Sequence, residues 1–273
     1  MKKSLSICYL VLIFGILYIP ILTLILFSFN SANSTANFEG FSLRWYIELF
    51  NSPDAFEALR NSLILAALSS LIATVIGTAA AEGIYKMKSK IAKAAITSVT
   101  NIPMMNPDIV TGVSMMLLFV AVATFIGAKQ FLGFGTMLIA HVTFNLPYVL
   151  LSVMPRFNQL DPSLSEAAQD LGCTPSSAFF KVELPQIIPG IISGLMLGFT
   201  MSLDDFVISH FVSSPNFQTL PLYVYNQTVH NVKFRMYALC ALIVFVILVI
   251  LLAVNFSGSV RIGKRRKGKG VTR

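Results

Sequence analysis

The stretch EAAQDLGCTPSSAFFKVELP, residues 166–185, is a polar, helix-forming passage in a chain of 273 residues that is 55% hydrophobic and 12% charged. Such a composition gives more apolar surface than one globular core of this length can bury. Several apolar runs reach the roughly 20 residues that a helix needs to cross a bilayer. The sequence therefore predicts an all-α membrane protein in which this passage forms a loop outside the bilayer.

Six apolar runs predict six transmembrane helices in a single domain, residues 1–258, followed by a basic tail, residues 259–273. The runs lie at about residues 7–28, 61–85, 96–126, 131–153, 187–212 and 236–256. With the N-terminus in the cytoplasm, fifteen Lys and Arg fall on the inner side and five on the outer side. By the positive-inside rule, both termini and the loop at 160–185 are expected in the cytoplasm.

The loop at 160–185 is predicted to form two short amphipathic helices. Asp161 and Pro162 give an N-cap followed by proline at the first helical position. Thr174 and Pro175 repeat this signal for a second helix, which is expected to end before Pro185 opens the fifth span. Because the loop has few basic residues, its apolar stripe is expected to dock on a soluble protein rather than on lipid headgroups.

Four carboxylates lie within the apolar runs, which contain no Lys or Arg. Glu82 is close enough to the cytoplasmic end of its span to reach water or Lys86, which leaves Asp108, Asp204 and Asp205. A carboxylate at bilayer depth costs about 2.5–3.5 kcal/mol, so each one needs a physical reason. Since no basic side chain is available in the same spans, the missing partner is expected to be a cationic substrate. These three residues are the first candidates for a substrate pathway.

The third span is expected to be broken beside Asp108, near the middle of the membrane. Pro103 and Pro107 each remove a backbone donor, which membrane helices tolerate where the backbone lines a cavity. In an alternative interpretation, Asn106 caps a half-helix that starts at Pro107, and Asp108 stabilises the helix dipole. This alternative does not exclude contact between Asp108 and a ligand.

In the fifth span, the neighbours Asp204 and Asp205 point about 100° apart, so one can face a pathway while the other faces a helix or water. Asp204 is the first choice for the pathway, but Ser202 shares a helix edge with Asp205, which would invert the choice. Both can instead lie at a helix end beside the outer water. Trp45 and Tyr223, in outer loops, are candidates for holding a cation by the ring face, or are ordinary interfacial aromatics.

Motifs for catalysis, metal binding or nucleotide binding are absent from the sequence. GKRRKGKG, residues 263–270, resembles a phosphate loop, but Gly270 stands where a Mg²⁺-binding hydroxyl is required. The cysteines lack metal or disulfide spacing, and the net charge of +8 is concentrated beyond the last span, which disfavours a nucleic-acid partner. His141 is expected to be a hydrogen-bonded packing residue rather than a proton relay. No internal repeat supports a secondary transporter, and no nucleophile or metal set supports a membrane enzyme.

The loop resembles the cytoplasmic loop of the membrane subunits of type I ABC importers, which depend on a binding protein. That loop reads E-A-A, three residues, Gly, nine residues, then Ile-x-Leu-Pro. This chain has Glu166, Ala167 and Ala168, then Leu171 and Gly172, then Val182, Glu183, Leu184 and Pro185. By this resemblance the fold is that of a type I importer permease, and the first short helix is the coupling helix that inserts into an ATPase subunit.

Other stretches are similar to the second membrane subunit of spermidine/putrescine permeases. They are YIPILTLILFSFN (18–30), FSLRWY (41–46), MMNPDIVTGVSMMLLF (104–119), HVTFNLPYV (141–149), EAAQDLG (166–172), MSLDDFVISHFV (201–212) and LPLYVYN (220–226). In that family the residues matching Trp45, Asp108, Glu166, Ser202, Asp204 and Asp205 are implicated in polyamine transport. For Glu166, which lies outside the membrane, a coupling role is expected instead.

The resemblance implies a chain that performs no chemistry itself and binds no cofactor. ATP and Mg²⁺ would bind a cytoplasmic ATPase dimer, a second permease would form a heterodimer with this chain, and an extracytoplasmic polyamine-binding protein would deliver the cargo. The alternative cargo is another small cation or zwitterion, such as an amino acid or a quaternary amine. The lack of Lys and Arg in the spans disfavours an oxyanion.

Overall fold

The structure is a computed structural model that describes residues 2–32, 37–128, 131–215, 217–230, 234–246 and 248–249. Regular structure in this part of the chain is helical, apart from isolated bridges, which confirms the all-α prediction. The helices are α1 (Lys2–Ser28), α2 (Arg44–Phe50), α3 (Pro53–Lys86), α4 (Lys90–Met105), α5 (Asp108–Ile126), α6 (Phe134–Phe157), α7 (Pro162–Asp170), α8 (Pro175–Ala178), α9 (Leu184–Asp204), α10 (Val207–Val212), α11 (Leu220–His230) and α12 (Arg235–Val246).

Five helical segments are long and apolar enough to cross a membrane, and α12 is a shorter apolar helix. The five are Tyr9–Ser28, Pro53–Lys86, Asp108–Ile126, Phe134–Phe157 and Pro175–Asp204. They match the first five predicted spans, and α12 covers the start of the sixth. The rest of the sixth span, the basic tail at 259–273 and the sequence at 263–270 lie outside the described residues.

The third span is broken, as predicted, between α4 and α5. Asn106 is extended, with ψ of 145°, because the ring of Pro107 disfavours the helical region for the residue before it. Pro103 lies inside α4, so it does not contribute a second break. The half-helix begins at Asp108 rather than at Pro107, and no side chain caps it.

The prediction that a second short helix ends before Pro185 is wrong. Helices α8 and α9 join into one helix, Pro175–Asp204, through a π-helical turn at Phe179–Glu183 in which the Leu184 amide donates to the Phe179 carbonyl. Proline lacks an amide donor and its ring crowds the preceding turn, and a widened turn accommodates both. The predicted fifth span at 187–212 is also interrupted, since α9 ends at Asp204 and α10 begins at Val207.

Contacts group the chain into two compact units, residues Met1–Asp54 with Val224–Arg273, and residues Ala55–Tyr223. The single domain predicted for residues 1–258 stays a prediction. In the first unit, α2 buries Trp45 and Leu49 and exposes Ile47 and Phe50. The second unit contains the second, third, fourth and fifth predicted spans and the 160–185 loop.

In the second unit, α6 packs along α9 through a stripe of small residues. Gly190, Gly194 and Gly198 recur every fourth position on α9, so they share one face. A Cβ atom at Gly190 would lie 2.6 Å from Cγ of Arg156, and one at Gly194 would lie 3.3 Å from Cα of Val149. Small residues at this spacing let membrane helices approach closely, and here they bring α6 side chains up to α9.

Candidate functional site

The break between α9 and α10 is held by the carboxylate of Asp205. Its Oδ2 accepts a hydrogen bond from the Ser209 amide at 2.8 Å, and its Oδ1 accepts one from the Ile208 amide at 3.2 Å. These bonds satisfy amides of the first turn of α10, each of which would cost several kcal/mol if left without a partner in a membrane. The Asp205 side chain is 6% exposed, whereas Asp204 is exposed. The two adjacent carboxylates therefore face different surroundings.

His141, on α6, lies against this break and is 1% exposed. Its Nδ1 is 2.7 Å from Oγ of Ser202, which precedes the break, and its Nε2 is 3.2 Å from Oγ of Ser209, which follows it. Nε2 is also 3.5 Å from Oδ2 of Asp205. The imidazole thus contacts the chain on both sides of the break, and the prediction of a hydrogen-bonded, buried histidine is confirmed.

The polar contacts continue into α3. Ser69 donates from Oγ to Oγ of Ser202 at 2.9 Å, and Asn145 donates from Nδ2 to Oγ of Ser69 at 3.4 Å. Ser69 and Asn145 have no exposed surface, and Ser202 is 3% exposed. Ser202, predicted for the pathway, therefore lies within a buried network that joins α3, α6, α9 and α10.

Asp108 lies in the first turn of α5 and is exposed. One turn later on the same face, a Cβ atom at Gly112 would lie 2.9 Å from Phe211 and 3.4 Å from the Val207 carbonyl, so the start of α5 packs on α10. Further along α5, Phe119 belongs to the same apolar cluster as Ile208 and Val212 of α10. The structure thus places Asp108 at the start of a half-helix that neighbours the one begun by Asp205.

The two aromatic residues predicted to hold a cation are both buried. The indole of Trp45 donates to the Asn30 carbonyl at 2.7 Å and packs on Phe234, with ring centroids 5.4 Å apart. The Arg44 guanidinium carbon already lies 4.9 Å from the centroid of the Trp45 ring. Tyr223 is 3% exposed, in the other compact unit. Each ring is thus buried within its own unit, Trp45 in the first and Tyr223 in the second.

The 160–185 loop begins with the predicted caps. Asp161 accepts hydrogen bonds from the Ser163 hydroxyl at 2.8 Å and amide at 3.0 Å, and these bonds lower the pKa of Asp161. Thr174 accepts from the Ser177 amide at 3.3 Å. Gly172 has φ of +90°, the left-handed conformation that ends a helix, which confirms its predicted role.

Helix α7 carries the Glu166, Ala167 and Ala168 motif and presents apolar residues to its surroundings. Leu171 is 87% exposed, and Glu166 and Ala167 are exposed beside it. A docking role for these exposed residues stays a prediction. Leu184 and Pro185 lie at the start of α9, after the π turn.

Glu183, in the π turn, ties α7 to the end of α3. Its Oε1 accepts a hydrogen bond from the Ser165 hydroxyl at 2.7 Å, and its Oε2 lies 3.5 Å from Nζ of Lys86. Lys86 also pairs with Glu82 at 2.5 Å, one turn earlier on α3. Sequence reasoning missed the role of Glu183 because Lys86 is distant in the chain and no periodic pattern links the two.

Comparisons with known proteins place the chain in a family. A family model described as a binding-protein-dependent transport system inner membrane component matches residues 73–266. The chain belongs to this family. It is accordingly a multi-pass component of an inner membrane that works in a binding-protein-dependent transport system, and the prediction of a transport subunit rather than an enzyme is confirmed.

Two curated relatives cover most of the chain. The putrescine transport system permease protein PotI of Escherichia coli K12 is 41% identical over 234 residues, which are 86% of this chain and 83% of PotI. The spermidine/putrescine transport system permease protein PotC of the same organism is 36% identical over 241 residues, 88% of this chain and 89% of PotC. Both are named as permeases, in agreement with the resemblance found in the sequence.

A solved structure shows the same fold. A bacterial alginate ABC transporter, in complex with an alginate pentasaccharide-bound periplasmic protein, matches with a TM-score of 0.72 and 15% identity, over 95% of each chain. At this identity the likeness concerns the fold alone. It confirms the predicted fold of an ABC importer permease.

Proposed function

We propose that this chain is the permease subunit of an ATP-driven importer that moves polyamines, spermidine or putrescine, into the cytoplasm. The observation that carries the proposal is the identity of 41% and 36%, over 86% and 88% of the chain, to permeases named for putrescine and for spermidine/putrescine. Alignments over 234 and 241 of the 273 residues include the 160–185 loop and the second to fifth predicted spans.

The chemistry of the second unit supports a cationic cargo. A polyamine carries several ammonium groups, each of which needs a carboxylate or another acceptor when it leaves water. Asp108 and Asp204 are exposed carboxylates beside the breaks in the third and fifth spans, and those spans contain no Lys or Arg to neutralise them. A passing ammonium group would supply the missing partner.

The proposed assembly has four kinds of protein. This chain pairs with a second permease, the pair docks a cytoplasmic ATPase dimer that binds ATP and Mg²⁺, and a polyamine-binding protein delivers cargo from the outer side. Both termini face the cytoplasm. Closure of the ATPases moves α7, whose exposed Leu171 and Glu166 meet the ATPase, and the spans then alternate between outward and inward access.

The test is ATP-dependent uptake of labelled spermidine and putrescine into proteoliposomes that contain the complex and its binding protein. Asp108→Asn and Asp204→Asn are each expected to lower uptake by about tenfold or more, since each removes one charge with little change in shape. Complex assembly and basal ATPase activity are expected to persist. Asp54→Asn, an exposed carboxylate in the first turn of α3, is the matched control.

Two outcomes would count against the proposal. If the wild-type complex carries no polyamine but does carry an amino acid or a quaternary amine, the cargo is wrong and only the transport class stands. If both variants carry polyamine at the wild-type rate, the carboxylates do not act on a cation in transit.

A further inference from the structure

The imidazole of His141 spans the break in the fifth span from a neighbouring helix. On one side it contacts Ser202, in the last turn of α9, at 2.7 Å. On the other side it contacts Ser209 of α10 at 3.2 Å and lies 3.5 Å from the carboxylate of Asp205. One rigid ring thus fixes the distance between the two helical pieces, and Asp204 lies on the backbone between its contacts.

The hydrogen bonds around the ring have a consistent direction. Oγ of Ser69 lies 2.9 Å from Oγ of Ser202 and 3.3 Å from the Ala66 carbonyl, and its one proton is assigned to the nearer acceptor. The Ser202 hydroxyl proton is then available for Nδ1 of His141. The ring proton then lies on Nε2, which faces Ser209 and the Asp205 carboxylate. This assignment of the tautomer follows from the network and gives every contact of the ring a donor and an acceptor.

His141 cannot itself meet a substrate, because it is 1% exposed. Asp205 is also occupied, since its oxygens accept the two amides of α10. Among Ser202, Asp204 and Asp205, only Asp204 has an exposed side chain. The contacts of the His141 ring that fix the geometry of the break therefore also fix the direction of the Asp204 carboxylate.

We propose that His141 is a positioning residue of the transport pathway, which clips α9 to α10 through Ser202, Ser209 and Asp205 and so presents Asp204 to the cargo. This inference rests on the proposed function for the nature of the cargo, but the clip itself is a property of this chain. It assigns the adjacent carboxylates different tasks, with Asp205 structural and Asp204 in contact with the substrate.

The first test measures the concentration dependence of polyamine uptake by the reconstituted complex. His141→Ala is expected to raise KM by about tenfold with Vmax within about twofold, because the ring acts through the placement of Asp204. In an Asp204→Asn background, His141→Ala is expected to raise KM no further. His141→Gln, which keeps one amide donor for Asp205 and Ser209, is expected to give an intermediate KM. Thr143→Val is the control, since Thr143 lies on the same helix and bonds only the Ile139 carbonyl.

Several results would overturn the inference. The first is an unchanged KM in His141→Ala. The second is a fold increase in KM in the double variant that equals the product of the fold increases in the two single variants. The third is a loss of Vmax alone, in proportion to the yield of assembled complex. If His141→Ala does not assemble, the test uses His141→Gln instead. The clip is contradicted if His141→Gln has the wild-type KM and adding Ser209→Ala to it leaves that KM unchanged.

A second test does not depend on the cargo. In a chain whose Cys8, Cys173 and Cys240 are replaced by serine, Asp204→Cys is labelled with a water-soluble, positively charged thiol reagent in the purified complex. Adding His141→Ala is expected to change the labelling rate by about fivefold, since the ring no longer holds the position in one orientation at the break. An unchanged rate would refute the clip. If wild type carries no polyamine while His141→Ala still changes the labelling rate, the proposed function fails and the clip stands.

Discussion

The third and fifth spans are both interrupted, but the two breaks have different physical origins. At the third, Pro107 forces Asn106 into an extended conformation and no side chain caps the following helix. At the fifth, the stretch from Phe199 to Phe206 contains neither proline nor glycine. That break is held by the Asp205 carboxylate and by His141 from another helix. The break in the third span is determined by the local sequence, whereas the break in the fifth span depends on tertiary contacts.

The largest effect is expected from Asp205→Ala, which removes the tertiary anchor. Two amides at the start of α10 lose their acceptors, so the free energy of unfolding should fall by about 3 kcal/mol or more. Denaturant unfolding of the purified complex in detergent, followed by circular dichroism, measures this loss. Asp204→Ala is the matched control, since its exposed neighbour should change stability by less than about 0.5 kcal/mol. Equal losses in the two variants would show that Asp205 is not the anchor.

The contrast between local and tertiary determinants also explains what the sequence could predict. The caps at Asp161 and Thr174, the left-handed Gly172 and the break beside Pro107 each depend on residues within a few positions, and all were found where the sequence placed them. Spans could be predicted because apolar length is a local property.

The features that the sequence did not reveal depend on distant partners. From the sequence, Asp204 is the first choice for the pathway, but the helix edge that Ser202 shares with Asp205 would invert the choice. Only the contacts with α6 and α10 distinguish the two carboxylates. From the sequence, Trp45 is either a candidate for cation contact or an ordinary interfacial aromatic. Its burial depends on distant residues, since the indole donates to the Asn30 carbonyl and packs on Phe234. The joining of α8 and α9 was missed because Pro185 normally marks a helix start, and the π turn absorbs its cost.

A smaller effect is expected at the cytoplasmic side, where Glu183 makes another tertiary contact. Glu183→Gln keeps an acceptor for the Ser165 hydroxyl but removes the ion pair with Lys86, so α7 should be linked less firmly to α3. Polyamine imported per ATP hydrolysed is expected to fall by about threefold, while ATPase activity persists. The measurement is the ratio of uptake to phosphate release in the same proteoliposomes.

Glu82→Gln is the control for that prediction. It removes the other ion pair of the same lysine, but Glu82 and Lys86 lie on one helix, so the link to α7 remains. An equal fall in both variants would mean that the charge of Lys86 matters rather than the link between helices.

The smallest effect on stability is expected from Pro107→Ala, which tests whether the break in the third span is as local as it looks. Replacing proline at a compatible position should change the free energy of unfolding by less than about 1 kcal/mol. The alanine restores a backbone amide donor and removes the ring that keeps Asn106 out of the helical conformation. Helices α4 and α5 are therefore expected to join into a continuous helix. Hydrogen exchange measured by mass spectrometry should then slow for the amides of residues 106–109.

Pro103→Ala is the matched control, because Pro103 lies within α4 and its replacement should leave exchange at 106–109 unchanged. If exchange at these amides does not slow in Pro107→Ala, contacts such as that between Gly112 and α10 hold the break without the proline. The third span would then resemble the fifth, because packing rather than the proline would keep the helix interrupted between α4 and α5. A slowed exchange together with reduced polyamine uptake would instead show that a local break, made by one ring, places Asp108 for transport.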